Sequence, residues 1–74
     1  MVIGVAMYVI ELIRFVPGRV EPEVLARINH ADHDLEAAKE KAKSILQNTK
    51  IVEATRVRVL NMEGVEVFNW GPDR

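Results

Sequence analysis

Three stretches of the chain have the residue pattern of β-strands. Between the second and the third, the apolar residues recur with the spacing of an α-helix. The opening stretch, residues 7–16, is rich in Val, Ile, Tyr and Phe, which favours a strand. Its side chains divide into two mainly apolar faces, one with Tyr8, Ile10 and Leu12, and the other with Val9, Ile13 and Phe15. Because both faces are apolar, we expect this strand to need cover on both sides.

The next stretch, VLARINH at residues 24–30, follows a loop with two prolines and a glycine and is compatible with two structures. As a strand paired back on the first, one of its faces would carry Val24, Ala26 and Ile28. As a short helix beginning at Pro22, it would bury Val24, Leu25 and Ile28. We favour the strand. The alternative would give the domain a second helix.

Residues 33–48 have the spacing of an amphipathic helix. The apolar positions recur every three or four residues and form one stripe, made of Leu35, Ala38, Ala42, Ile45 and Leu46. The lysines lie off that stripe, and the pairs Glu36–Lys39 and Glu40–Lys43 have the i,i+3 spacing of helical ion pairs. The sequence therefore predicts one main helix with its apolar side against a sheet.

The closing stretch, ATRVRVLNMEGVEVFNW, has the pattern of a β-hairpin. The segment NMEG fits a type I turn in which Gly64 is left-handed and closes a bulge, so that Asn61 pairs with Val65. Continuing this register pairs three further positions: Val59 with Val67, Arg58 with Phe68, and Arg56 with Trp70.

This register sorts the hairpin into two faces. We expect the face that packs on the helix to carry Val57, Val59, Val65 and Val67. The other face would carry Arg56, Arg58, Leu60, Glu66, Phe68 and Trp70. The predicted fold is α+β, a two-layer ββαββ domain with an antiparallel sheet and one helix across one face. It forms a single domain over residues 1–74, in which we expect residues 1–6 and 71–74 to fray.

The size of the chain favours association. A domain of 74 residues buries only about 60% of its surface on folding, and small domains often gain stability from disulfides, metals or oligomerisation. This chain has no cysteine, so disulfides are excluded. With one helix, only one sheet face can be covered, so we predict a homodimer through the other face. The predicted interface residues are Arg56, Arg58, Phe68, Trp70, Val9, Ile13 and Phe15.

Two other interpretations use the same hairpin residues. In the first, Arg56 and Arg58 lie over the aromatic rings and shield them from water. In the second, the rings stack nucleic-acid bases while the arginines hold phosphates. The net charge of −1 and the isoelectric point near 6.1 argue against a nucleic-acid binder.

The segment INHADHDLEAAK, residues 28–39, contains both histidines of the chain. Imidazole and carboxylate groups together can bind zinc or another divalent ion, which makes His30, Asp32, His33 and Asp34 candidate metal ligands. Their spacing matches no metal motif, and we favour a local role in which Asp32 or Asp34 caps the helix. A ligand- or metal-binding accessory protein is therefore the alternative function.

The sequence contains few residues that could act as nucleophiles or bind phosphate. There is no cysteine, the single serine is Ser44 within the predicted helix, and the four glycines are isolated, so no phosphate-binding loop is present. We predict no enzymatic activity and no cofactor. The charge-free apolar run ends at Ile10, too short to span a membrane, and no Lys or Arg precedes it as in a signal peptide. A cytoplasmic protein is the expectation.

The motifs MYVIEL, DLEAAKEKAKSIL and VRVLNMEGVEVFNW also carry a resemblance. Over about residues 7–71 the chain resembles a group of short, functionally uncharacterised bacterial proteins. These have an opening strand, a helix of the type D-L-x-x-A-K-x-x-A-K, and a closing hairpin with G-x-E-V-x-x-W. The resemblance implies the same strand–helix–hairpin fold and lowers the expectation of an enzyme, because the group has no assigned activity, cofactor or catalytic residues.

Overall fold

A computed structural model describes residues 6–32 and 34–71 of the chain. Its single helix and four strands follow each other as β1 (Ala6–Arg14), β2 (Glu23–Asp32), α1 (Leu35–Asn48), β3 (Arg56–Leu60) and β4 (Glu66–Trp70). The strands form one antiparallel sheet in the order β2-β1-β3-β4. This confirms the predicted ββαββ fold. The expected fraying of the termini concerns mainly residues 1–5 and 72–74, which lie outside the described residues.

The first hairpin pairs β1 with β2, so the strand interpretation of residues 24–30 is confirmed. Ile28 lies opposite Ile10, and both contribute to the core. The predicted face of β2 was wrong at Val24. The register shifts by one residue there, so Val24 lies opposite Ile13 and points away from the helix.

Helix α1 begins one residue after its cap. The Asp34 carboxylate accepts a hydrogen bond of 3.0 Å from the backbone N–H of Glu36, which satisfies one of the free donors of the first turn. Of the two predicted caps, Asp34 is therefore confirmed. The buried residues Ala38, Ala42 and Leu46 belong to the predicted apolar stripe.

The second hairpin begins with the predicted turn. Asn61 and Val65 are joined by a backbone hydrogen bond of 2.9 Å, and Gly64 has a φ of +82°, the left-handed conformation that glycine tolerates best. One step further the register shifts: Leu60 pairs with Glu66, but Val59 pairs with Phe68 and not with Val67. The predicted register was therefore wrong beyond this point.

This one-residue shift reverses the face of every later side chain in β4. Phe68 and Trp70 lie opposite Val59 and Val57, which are buried in the core, so both rings pack on the helix side of the sheet. The prediction that they lie on the other face with Arg56 and Arg58 was wrong. Val65, predicted to pack on the helix, is 53% exposed.

The core lies between α1 and one face of the sheet. It consists of buried residues from the helix and the two central strands, namely Ile10, Leu12, Ala38, Ala42, Leu46, Val57 and Val59. Tyr8 packs against this cluster, so the predicted core face of β1 is confirmed. Within the described residues, α1 is too short and too polar to cross a membrane.

Candidate functional site

The face of the sheet opposite α1, here called the helix-free face, carries most of the charged side chains of the sheet. Its membership follows from the strand register, because directly opposed residues point to the same side. The members are Met7, Val9, Glu11, Ile13, Val24, Arg27, Asn29, Ala31, Arg56, Arg58, Leu60, Glu66 and Asn69. Four predicted interface residues, Val9, Ile13, Arg56 and Arg58, therefore lie on this face. The prediction was wrong in making Ile13 available for contact, because its side chain is fully buried within the chain. Phe15 lies just beyond β1 and is 57% exposed.

Glu11 lies at the centre of the helix-free face, directly paired with Arg27 on β2 and Arg58 on β3. Its carboxylate accepts a hydrogen bond of 2.8 Å from Arg27 Nε and one of 2.6 Å from Arg58 Nε. The Glu11 side chain is only 3% exposed, while that of Arg27 is 60% exposed. A buried carboxylate is thus shared by two arginines, one of which reaches water.

These contacts set the charge state of Glu11. Burial raises the pKa of the carboxyl, but the hydrogen bonds and positive charges of Arg58 and Arg27 lower it more, so the net pKa lies below the ordinary glutamate value. Glu11 is therefore ionised at neutral pH and holds both guanidinium groups in place.

The network continues to the edge strand β4. Arg58 Nη1 lies 3.8 Å from Glu66 Oε1, and Asn69 Oδ1 accepts a hydrogen bond of 2.7 Å from Arg56 Nε. Glu66 is paired with Leu60, so it reaches Arg58 diagonally, whereas Asn69 is the β4 residue directly opposite Arg58. We call the linked group of Arg27, Glu11, Arg58 and Glu66 the charged band.

An apolar pair lies beside the charged band. Val9 and Leu60 are directly opposed on β1 and β3. They lie two residues along their strands from Glu11 and Arg58, at the next position on the same face. Both are partly exposed, and neither belongs to the core on the helix side. The helix-free face therefore offers both charged and apolar contacts at its centre.

The aromatic residues of β4 interact with the helix instead. Lys39 Nζ lies 5.6 Å from the centre of the Phe68 ring, and Lys43 Nζ lies 5.8 Å from that of Trp70. Lysines of α1 provide the cation–π contacts that were predicted for Arg56 and Arg58, and these two arginines lie on the opposite face of the sheet. The nucleic-acid interpretation required rings and arginines on one face, and the structure places them on opposite faces.

The predicted metal ligands His30 and Asp32 lie at the end of β2, and Asp34 lies just before the N-terminus of α1. His30 Nε2 lies 3.2 Å from Asp32 Oδ2, and the backbone N–H of Asp34 donates to Asp32 Oδ1 at 3.1 Å. His33 lies outside the described residues. Among those that are described, no group of three or more His, Asp or Glu side chains is arranged to hold a metal ion.

One surface cavity of about 260 Å³ lies beside the turn of the second hairpin. It is lined by Ala6, Met7, Tyr8, Asn61, Met62 and Glu63. Glu63 is the only ionisable group there apart from the Tyr8 hydroxyl, so the cavity lacks the converging polar groups that fix a ligand.

Sequence reasoning missed the role of Glu11 and Arg27. The signal was present, because Glu11 is a charged residue in the middle of a mainly apolar strand, and such a residue needs a partner when it is buried. The partners were not evident, since they lie 16 and 47 positions away along the chain.

No family model, curated protein or solved structure matches this chain. The resemblance to short bacterial proteins therefore stays a prediction. The chemistry of the helix-free face is the basis on which a function can be proposed.

Proposed function

We propose that this protein is a small non-enzymatic interaction protein that forms a homodimer through its helix-free face. The observation that carries the proposal is the charged band beside the Val9–Leu60 pair, on the sheet face that α1 does not cover. Charged groups give an interface specificity, and central apolar contacts give it affinity.

The proposed interface contains different residues from the interface predicted from the sequence. Phe68 and Trp70 no longer belong to the interface, while Arg27, Leu60 and Glu66 join it. With strands ~4.8 Å apart and ~3.3 Å per residue, the face covers roughly 450 Å² in projection. Stable interfaces typically bury about 800 Å² per partner, so we expect a weak dimer.

The non-enzymatic part of the proposal rests on the sequence, which has no cysteine and a single serine. Ser44 is on α1, where its carbonyl accepts a hydrogen bond of 2.8 Å from the Asn48 side chain. In the described part of the chain, the histidine His30 contacts Asp32 and not Ser44. A chain without cysteine also suits the reducing cytoplasm, where we place this protein.

Sedimentation equilibrium between about 10 µM and about 1 mM tests the proposal, because weak dimers populate in this range. We expect the apparent mass to rise towards twice 8.4 kDa and Leu60→Glu to prevent this rise. Val20→Glu is the matched control, since Val20 is 98% exposed in a loop outside the face. A wild-type monomer throughout this range contradicts the proposal.

A further inference from the structure

We propose that Met7 and Met62 extend the apolar part of the proposed interface and are its modification site, at which oxidation by a peroxide weakens the homodimer. This inference rests on the proposed homodimer and adds how that dimer is regulated. It follows from two exposed methionines that lie next to the Val9–Leu60 pair.

Met7 belongs to the helix-free face. It is directly paired with Ala31 of β2 and lies two residues before Val9 on β1, so its side chain points to the same side as that of Val9. The Met7 side chain is 40% exposed. Its thioether therefore continues the apolar surface of the Val9–Leu60 pair towards the beginning of β1.

Met62 lies across a gap from Met7. Strand β3 ends at Leu60, opposite Val9, whereas β1 begins three residues before Val9 and so extends beyond the end of β3. After Leu60 the chain leaves the sheet to form the turn of the second hairpin. The surface cavity of about 260 Å³ occupies this gap and is lined by both Met7 and Met62. The two methionines thus share one opening beside the apolar pair.

Both thioethers are accessible to a small oxidant in the folded monomer. Met62 is 74% exposed, and Met7 lies on the wall of a cavity that opens to the surface. Neither residue belongs to the buried core between α1 and the sheet. Hydrogen peroxide can therefore reach both sulfur atoms without unfolding the chain, and oxidation leaves the core packing intact.

Oxidation changes the polarity of this surface. The thioether sulfur attacks one oxygen of hydrogen peroxide, the O–O bond breaks, and an S–O bond forms. The proton on the transferred oxygen passes to the leaving hydroxide, which departs as water. The sulfur is oxidised by two electrons and the peroxide is reduced by two. A flexible apolar side chain becomes a polar sulfoxide, and burying it beside Val9 and Leu60 without a hydrogen-bond partner opposes association.

Sedimentation equilibrium before and after treatment with hydrogen peroxide tests the inference. We expect the dimer dissociation constant of the wild type to rise about tenfold. Peptide mass mapping should find one added oxygen on each of Met7 and Met62, and methionine sulfoxide reductases should restore the dimer. The circular dichroism spectrum should stay native throughout. Loss of the native spectrum on oxidation overturns the inference, because the dimer would then be lost through unfolding.

The matched control is the double variant Met7→Leu, Met62→Leu. Leucine keeps an apolar side chain of similar volume but has no sulfur, so the variant should dimerise like the wild type. Peroxide should leave its dissociation constant unchanged. An equal loss of dimer in the variant and the wild type overturns the inference, because the effect would then come from oxidation elsewhere in the chain.

Protection of the two methionines in the dimer is a second test. In excess peroxide, their oxidation should be slower at about 1 mM protein than at about 10 µM, because more of the chain is then dimeric. The monomeric variant Leu60→Glu should show no such difference. A wild-type dimer with neither protection nor sensitivity to peroxide refutes this inference alone. A wild type that is monomeric at every concentration refutes the proposed function as well.

Discussion

Glu11 and Arg58 are directly opposed on β1 and β3, and their side chains form a hydrogen-bonded ion pair of 2.6 Å on the helix-free face. Arg27 completes the arrangement from the other side at 2.8 Å. The carboxylate is buried, whereas Arg27 extends into water. The pair therefore joins the folding of the two central strands to the surface that we propose as an interface.

Replacing Glu11 is expected to destabilise the fold. Glu11→Gln removes the negative charge but keeps the shape, which leaves Arg58 next to a neutral amide. We expect a loss of about 1–3 kcal/mol, because hydrogen bonds to charged groups contribute this much. Urea denaturation at pH 7 measures it, and Glu40→Gln, whose side chain is 75% exposed, should change stability by less than about 0.5 kcal/mol.

Stability should also depend on pH through Glu11. Its pKa is lower in the folded protein than in the unfolded chain, so the unfolded state binds the proton more readily. The stabilisation is present above the unfolded pKa of about 4.3 and is lost as the pH falls through the folded pKa. Urea titrations at pH 7, 4 and 3 should show the difference between wild type and Glu11→Gln shrinking with acidity. A difference that stays constant contradicts the role of this group.

Trp70 should matter for folding and not for association. Its ring packs against the core and under Lys43, so Trp70→Ala should lower the free energy of unfolding by about 2–4 kcal/mol. Tryptophan fluorescence of the wild type should be partly protected from quenchers in the monomer. If Trp70→Ala instead abolishes dimerisation at unchanged stability, the ring belongs to the interface after all.

The turn glycine should be needed for its backbone conformation alone. Gly64 has a φ of +82°, and a Cβ added there would contact nothing within 4 Å. Gly64→Ala should therefore cost about 1 kcal/mol from backbone strain without any clash. Gly64→Asn should cost less, because asparagine tolerates this region better. Thermal unfolding monitored by circular dichroism ranks the three proteins, and equal stability of all three would contradict the assignment.

The helix cap offers a test of the INHADHDLEAAK segment. Asp34→Ala removes the acceptor for the Glu36 N–H and should cost about 1 kcal/mol, whereas Asp34→Ser should retain most of the stability. Chemical denaturation measures both. Addition of zinc to the wild type should leave the unfolding midpoint unchanged, and a zinc-dependent rise would instead support the metal-binding alternative.

The sequence by itself determined the features that depend on neighbouring residues. The apolar spacing of residues 33–48 predicted α1, the NMEG segment predicted a turn with a left-handed Gly64, and Asp34 was one of two predicted caps. These structures form from contacts within a few residues, so the local pattern contains the necessary information.

Only the tertiary structure decided which face each side chain of β4 occupies. The one-residue shift at Val67 places Phe68 and Trp70 on the helix side, where they bury apolar area against the core. That gain depends on where α1 lies over the sheet, which no pattern within the hairpin records. The ion pairs of Glu11 likewise join strands that only the folded sheet brings together. The position of the candidate interface depends on these ion pairs, so it also follows from the tertiary structure.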